Sequence, residues 1–152
     1  MIVIVTGMRE WKNKEQVWRE LDALLDQHYA AHPIGTAVRE RARREFILRH
    51  GKSGNVDISA NEWGVARGVT VERFQAQWSF PGGGTDYSAG PRRNREMAAA
   101  EPKADLCLAF WDGTLQFRGN REVSGTLDMI KAALAKGIPV SIIPVRQPEP
   151  TE

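Results

Sequence analysis

Ile2-Val3-Ile4-Val5-Thr6-Gly7-Met8-Arg9 is the stretch that decides the fold. Ile2–Val5 is a short, unbroken apolar run rich in β-branched residues, the pattern of a strand buried on both faces in a parallel sheet. Thr6-Gly7-Met8-Arg9 then turns the chain towards a helix. The same order recurs downstream. Phe46-Ile47-Leu48 predicts a second strand, and His50-Gly51-Lys52-Ser53-Gly54 turns it into a helix. Val69–Phe74, Asp105–Phe110 and Ile138–Val145 predict three more strands. Strand–helix alternation along the whole chain predicts an α/β, Rossmann-like, doubly wound and mostly parallel five-stranded sheet with helices on both faces.

Local signals set the expected helices. Asn13 caps the first, with Gln16 three residues on. Val17, Leu21, Leu24 or Leu25, and His28 share one face, and His32-Pro33-Ile34-Gly35 breaks the helix. A basic helix is expected over Val38–Glu45. Ser53 or Asn55 caps a helix carrying Val56, Ala60 and Trp63 on one side, and Gly68 ends it. Gln75–Ser88, with Pro81-Gly82-Gly83-Gly84, predicts an exposed, flexible loop. Pro91 is expected at the first position of a helix that continues through Met97 to Pro102. Asp112–Glu122 reads as a polar loop. Val123, Leu127, Ile130 and Leu134 keep helical spacing, closed by Gly137. One domain over 1–145 and a flexible tail over 146–152 are expected.

Composition narrows the function. The chain has 152 residues, 41% apolar and 26% charged, as in an ordinary globular protein. Net charge is +2, from 21 basic and 19 acidic residues. That balance, and the lack of a basic aromatic stripe, argue against nucleic acid as a partner. Basic residues cluster at Arg39, Arg41, Arg43 and Arg44, and at Arg92, Arg93 and Arg95. Cys107, the one cysteine, lies inside an apolar run and reads as a small buried residue without a disulfide partner. The first residues lack a signal-peptide pattern and no apolar run is long enough for a membrane span. A cytoplasmic protein without a membrane partner is expected, and no metal or cofactor is expected.

Four turns carry the candidate site. They are the ones at Gly7, at Gly51–Gly54, at Ala89-Gly90-Pro91-Arg92-Arg93-Asn94, and at Ser124-Gly125-Thr126. In doubly wound sheets ligands bind beyond the carboxyl ends of the strands, where all four would converge. Glycine lets the backbone approach a ligand, and helix starts offer free N–H groups and a partial positive charge. A phosphate-bearing small molecule fits such a cradle. The residues expected to hold it are Gly7, Arg9, Gly51, Ser53, Gly54, Asp57, Gly90, Arg93, Asn94, Ser124, Gly125 and Thr126. Arginines in the first turn of a helix oppose its dipole, unless a bound anion reverses the local field. His50, Trp11 and Trp63 read as structural residues, and Asp57 as a complement to its own helix start.

Through the residues of these turns, the chain resembles the SLOG superfamily. These are Rossmann-like proteins related to LOG phosphoribohydrolases and to DNA-processing protein A, and the nearest likeness is the YpsA-related branch of small bacterial and phage proteins. That branch has a Gly-Ser-Arg-x-Trp turn, here Gly7-Met8-Arg9-Glu10-Trp11 with Met8 in place of serine. Its His-Gly-Gly-Ala-x-Gly-x-Asp turn is here His50-Gly51-Lys52-Ser53-Gly54-Asn55-Val56-Asp57, followed by Ala60 and Trp63. Lys52 replaces the second glycine and Gly54 sits one place early. An Ala-Gly-x-x-Arg-Asn-x-x-Met motif is intact as Ala89, Gly90, Arg93, Asn94 and Met97. Asp105, Ala109, Phe110, Gly125 and Thr126 match the last motif. The resemblance implies that Arg93 contacts ligand and that Asp57 holds a ribose hydroxyl or orients the cradle.

The resemblance leaves alternatives open. The leading one is a nucleotide or nucleotide-derivative binding protein, a sensor or sequestering module. The second is a LOG-like hydrolase cleaving an N-glycosidic bond of a nucleotide. LOG enzymes place a glutamate just after the Gly-Thr turn, where this chain has Met129, which cannot do acid–base work. No catalytic residue is assigned; Asp57, Glu122 and Asp128 are the carboxylates that could substitute. A DNA-processing module is a third reading. Relatives commonly form dimers, so a homodimer is a further expectation, and the extended Asp112–Val123 segment is expected at the mouth of the pocket.

Overall fold

The structure is a computed structural model that describes residues 1–31 and 35–144. The expected break at His32-Pro33-Ile34, Val145 and the tail 146–152 lie outside the described residues. Five strands form one parallel sheet: β1 (Ile2–Gly7), β2 (Ile47–His50), β3 (Thr70–Arg73), β4 (Leu106–Phe110) and β7 (Val140–Ile143). Their order is β3-β2-β1-β4-β7, and every neighbouring pair is parallel. A two-stranded antiparallel ribbon, β5 (Phe117–Arg118) and β6 (Arg121–Glu122), stands apart from this sheet. The helices are α1 (Lys14–Ala30), α2 (Thr36–Glu45), α3 (Gly54–Arg67), α4 (Ala89–Ala99) and α5 (Gly125–Ala135).

The β-branched run of β1 explains its central place. Val3 and Val5 face α1 and α3, in one core with Val17, Leu21, Leu25, Val56, Ala60, Trp63, Leu108 and Phe110. Ile2 and Ile4 face α4 and α5, in a second core with Met97, Ala98, Cys107, Met129, Ala133 and Ile138. Alternate residues of one strand thus feed two apolar layers, so the doubly wound arrangement follows from the sequence period. Burial pushes the Cys107 thiol up to about 12, which leaves it an inert core residue. Trp11 packs edge-on against Phe110, and Trp63 is fully buried with its indole N–H donating to Asp22.

Local expectations hold at both ends of several helices. Asn13 accepts the Gln16 backbone N–H and starts α1, and Gly68 closes α3 in the left-handed conformation (φ 71°). Four details differ. Pro91 is the third residue of α4, not the first, because Ser88 is the N-cap and the helix begins at Ala89. The buried side of α5 is Thr126, Met129, Ile130 and Ala133, while Val123 and Leu134 are exposed. Gln75–Ser88 is not wholly exposed: Ala76 and Asp86 are buried, and Ser79 pairs with Thr85 across the glycines. Asp112–Glu122 is not a plain loop, since it contains the β5–β6 hairpin.

One buried charge lies outside the expected pattern. Arg49 of β2 is fully buried. It donates to the Ala100 carbonyl and stands 3.5 Å from the Glu72 carboxylate. Its Nη2 has no partner among the described residues. The carbonyl end of α4 supplies part of the compensation for that cation.

Gly7 owes its place to packing. A Cβ there would stand 2.7 Å from Val56 Cβ, in the first turn of α3. Gly7→Ala is therefore expected to cost about 1–3 kcal/mol by overpacking. Urea unfolding checks this, and adding Val56→Ala should recover part of the loss if the clash is the cause.

Candidate functional site

All four turns meet at the carboxyl edge of the sheet. β1 ends against β4, where the Met8 N–H donates to the Phe110 carbonyl. The turn after β2 is bound to the turn after β1, because the Asn55 N–H donates to the Arg9 carbonyl. Gly54 (φ 79°) lies so close to Arg9 that a Cβ would stand 2.7 Å from Arg9 Cα. Arg9 itself is exposed, and its guanidinium has no hydrogen bond or ion pair among the described residues.

Arg93, in the first turns of α4, joins the other turns. Its Nη1 donates to the Gly51 carbonyl, and its Nε donates to Asn94 Oδ1 at 3.0 Å. The buried Asn94 amide then donates to the Gly125 carbonyl (3.3 Å) and to Asp128 Oδ2 (2.9 Å) at the start of α5. One chain of contacts thus runs from Gly51 through Arg93 and Asn94 to Gly125 and Asp128. Burial lowers the Arg93 pKa, with the nearby Asp57 and Asp128 pulling it back up. Its neighbour Arg92 is paired instead, with Asp86 at 2.9 Å and the Ser88 hydroxyl at 2.7 Å.

The turn between β2 and α3 is fixed by side chains. His50 Nδ1 accepts the Lys52 N–H at 3.0 Å, so that nitrogen carries no proton. Nε2 is then the protonated nitrogen and donates to Asn61 Oδ1 at 2.9 Å, an oxygen that also accepts from Arg73. Burial is the main cause of the lowered His50 pKa, and Arg73, Lys52 and Arg93 add to it. His50 is therefore the satisfied structural histidine expected. Lys52 adopts φ 53°, in the left-handed region. Glycine is free there, whereas a residue with a Cβ bears a cost of about 1–2 kcal/mol.

Asp57 is buried at the start of α3. Its Oδ2 accepts the Ser53 N–H at 2.9 Å, while Oδ1 has no hydrogen-bond partner among the described residues. Burial raises its pKa from 3.8 to about 7, against the opposing pull of the Ser53 and Gly51 amides and of Arg93. Ser53 is the N-cap residue, but its hydroxyl makes no capping bond.

The remaining candidates divide between packing and open surface. A Cβ on Gly90 would stand 2.8 Å from the Trp78 ring, so Gly90 makes room for that indole. Gly125 has nothing within 4 Å of where its Cβ would be, and the backbone there is open to approach. Ser124 caps α5 by accepting the Leu127 N–H, and Thr126 is buried. Glu122 is engaged by the Ser124 N–H. Met129 is fully buried in the core, so the position of the LOG glutamate faces apolar side chains here. Sequence reasoning missed Lys52 and Asn61. The sign available for Lys52 was a lysine standing where the motif has glycine.

The ribbon reaches the loop before α4. The Arg118 guanidinium lies over the Tyr87 ring at 4.0 Å, and both flank the starts of α4 and α5. The arginines of α2 are elsewhere, at the amino end of β2, where Arg39 lies over the Tyr29 ring. Among the described residues no group of three or more His, Cys, Asp or Glu side chains is placed to hold a metal, and no helix is long and apolar enough to cross a membrane.

A parallel sheet of this order, with helices on both faces, defines a Rossmann-like α/β fold. Residues 1–80 match the family described as YAcAr, the YspA, cpYpsA-related SLOG family. The chain is also 34% identical over 143 residues to the Gene 61 protein of Mycobacterium phage D29, covering 91% of this chain and 92% of that protein. The chain belongs to the YspA, cpYpsA-related SLOG family. Its fold is similar to the X-ray structure of DNA processing protein A (DprA) from Streptococcus pneumoniae, with a TM-score of 0.61 and 15% identity. That likeness covers 95% of this chain and 50% of the other, so the chain spans about half the length of that protein.

The raised pKa of Asp57 makes stability depend on pH. In the unfolded chain its carboxyl ionises near 3.8, whereas in the folded protein it keeps its proton up to about 7. Between those values the folded state binds more protons, so stability falls as pH rises through the window and levels off above it. The full effect is on the order of 4 kcal/mol, at about 1.4 kcal/mol for each tenfold change in proton affinity. Asp57→Asn should flatten this part of the profile, read from urea midpoints between pH 5 and pH 8. Equal slopes for the two proteins would overturn the assignment.

Proposed function

We propose that this protein binds a nucleotide or nucleotide derivative by its phosphate at the carboxyl edge of the sheet, as a sensor or sequestering module. The observation that carries this reading is the Arg93 linkage. A half-buried guanidinium stands near the start of α4, beside the turn that opens α3 and in contact with the residue that reaches α5. Arg93 is the fifth residue of α4 and not in its first turn as expected, so the helix dipole bears on it weakly, and its support for the reading is its half-buried charge beside the Gly51 turn. Membership of the SLOG family supports nucleotide-related binding in general terms. The open backbone at Gly125 and the Arg9 guanidinium, which has no partner among the described residues, supply further anion contacts. The Arg118–Tyr87 contact between ribbon and loop fits a part that modifies ligand access.

A second reading is supported by Asp57. A carboxyl that exchanges its proton near neutrality, beside an arginine, is suited to acid–base work in the cleavage of an N-glycosidic bond. Incubation with AMP, ADP-ribose, NAD and ATP, followed by chromatography for free base or ribose phosphate, tests it. Product that disappears in Asp57→Asn would make the chain a hydrolase, and no product would leave it a binder.

The binding reading is tested by thermal shift with the same compounds, since a ligand that binds only the folded state raises its stability. At least one should stabilise the wild type. Arg93→Ala is expected to weaken that ligand by about tenfold or more, the effect of losing hydrogen bonds to a charged group. Arg93→Lys should recover little, because an ammonium lacks the forked geometry. No shift with any compound, or full binding by both variants, would overturn the proposal.

A further inference from the structure

Trp78 stands apart from the other tryptophans. The indole N–H groups of Trp11, Trp18, Trp63 and Trp111 each donate to an acceptor within the fold, whereas that of Trp78 makes no hydrogen bond among the described residues. Trp78 also keeps 40% of its surface exposed. It is nevertheless fixed in place. Its carbonyl accepts the N–H of the buried Asp86 at 2.6 Å, and Asp86 is tied in turn to Ser88 and Arg92 at the start of α4. Ser79 pairs with Thr85 across the glycines between them. The six-membered ring lies against Gly90, where a Cβ would stand 2.8 Å from it. A large aromatic side chain that is half-open but held still suits binding, because it offers contact area at little cost in side-chain freedom.

Two contacts place this ring beside Arg93. Gly90, which the indole touches, is the second residue of α4 and Arg93 the fifth, and residues three apart share one helix face. Arg93 Nη1 also reaches the Phe74 carbonyl at 3.5 Å, so the segment that leads to Trp78 starts against the same guanidinium. The rise from Gly90 to Arg93 is about 4.5 Å along the helix axis. A single sugar bridges such a separation between a base and its phosphate. The neighbouring aromatic rings are placed differently. Arg118 lies over the Tyr87 ring, and Phe80 sits at the glycine turn of the loop, where its N–H donates to the Gly84 carbonyl.

We propose that the Trp78 indole stacks on the base of a ligand whose phosphate is held at Arg93, so that the site prefers nucleotides to phosphates that carry no base. The proposal rests on the nucleotide-binding reading above. Every base has a π-face, so such stacking selects for the presence of a base more than for its identity. The unused indole N–H leaves one donor for a sugar or phosphate oxygen of the same ligand.

Calorimetric titration with AMP, ADP-ribose, NAD and ATP, and with ribose 5-phosphate and inorganic tripolyphosphate, tests it. Wild type should bind AMP more tightly than ribose 5-phosphate, and ATP more tightly than tripolyphosphate. Trp78→Ala should weaken the nucleotides by about tenfold, the size of one base–aromatic stack, with little change for the two compounds without a base. Trp78→Phe, which keeps a π-face, should recover part of the loss. A loss confined to ligands with a base cannot come from misfolding, because the base-free compounds report on the same Arg93 site. Nucleotide affinity unchanged in Trp78→Ala, or an equal loss for base-free compounds, overturns the role of Trp78 while leaving anion binding intact. Sedimentation of both proteins supplies the remaining check. A dimeric wild type that becomes monomeric in Trp78→Ala would assign the indole to a contact between copies and overturn the stacking role. Failure of wild type to bind any of the six compounds overturns both readings.

Discussion

The contact of the Arg93 guanidinium with the Gly51 carbonyl is the constraint on which the edge of this sheet depends. It ties the turn after β2 to the start of α4, and it sets the guanidinium where its Nε fills the side-chain oxygen of Asn94. The arrangement runs against two general preferences. A cation sits near a helix start, and it is half-buried. Each is offset locally, by a backbone carbonyl, by the side-chain oxygen of Asn94 and by the fields of Asp57 and Asp128. The result is an edge whose shape is fixed by contacts within the fold itself.

The glycines divide into two physical kinds that sequence cannot separate. At Gly7, Gly51 and Gly90 the missing Cβ leaves room for Val56, Arg93 and Trp78, so protein atoms occupy the space that a ligand was expected to approach. At Gly125 the space is empty. A glycine turn therefore announces a close approach without saying what approaches. The close packing at Gly51 still serves the site, because it lets Arg93 reach the backbone and places the charge.

Much of the fold was legible because β1 reads the same at every level. Its β-branched residues favour a strand, their unbroken run demands two buried faces, and the glycine after them turns the chain. Asn13 with Gln16, and Gly68 after α3, are equally local and equally secure. The face of α5 was misread because Val123, Leu127, Ile130 and Leu134 are the bulkiest residues at helical spacing, whereas the contact with β1 and β4 selects Thr126, Met129 and Ala133 beside Ile130. Small residues allow the close packing of α4 on α5, and periodicity weighted by bulk overlooks them. The hairpin was hidden by its polarity, although Gly119-Asn120 between Arg118 and Arg121 is the short turn such a ribbon uses. In the site, Arg93 and Asn94 were readable from their motif. Their division of labour, one facing the turn and the other buried behind it, comes only from the packing of α4 on α5.

Local rules fail together at one place. Lys52 occupies a conformation made for glycine, Asp57 is a buried carboxyl with an oxygen left without a partner among the described residues, and Arg93 is a half-buried cation. Any one of these could be an incidental cost. All three fall within one turn of the chain or its direct contacts, at the sheet edge where doubly wound folds bind ligands. Arg49 is the useful contrast. It too breaks a rule, but its contacts are Glu72 on the edge strand and the carbonyl end of α4, which is the favourable end for a cation. Arg49 keeps Nε and Nη2 without a hydrogen bond among the described residues, so the burial of a charge marks no site by itself. What sets the sheet edge apart is that a strained backbone, a buried carboxyl and a half-buried cation are gathered in one place.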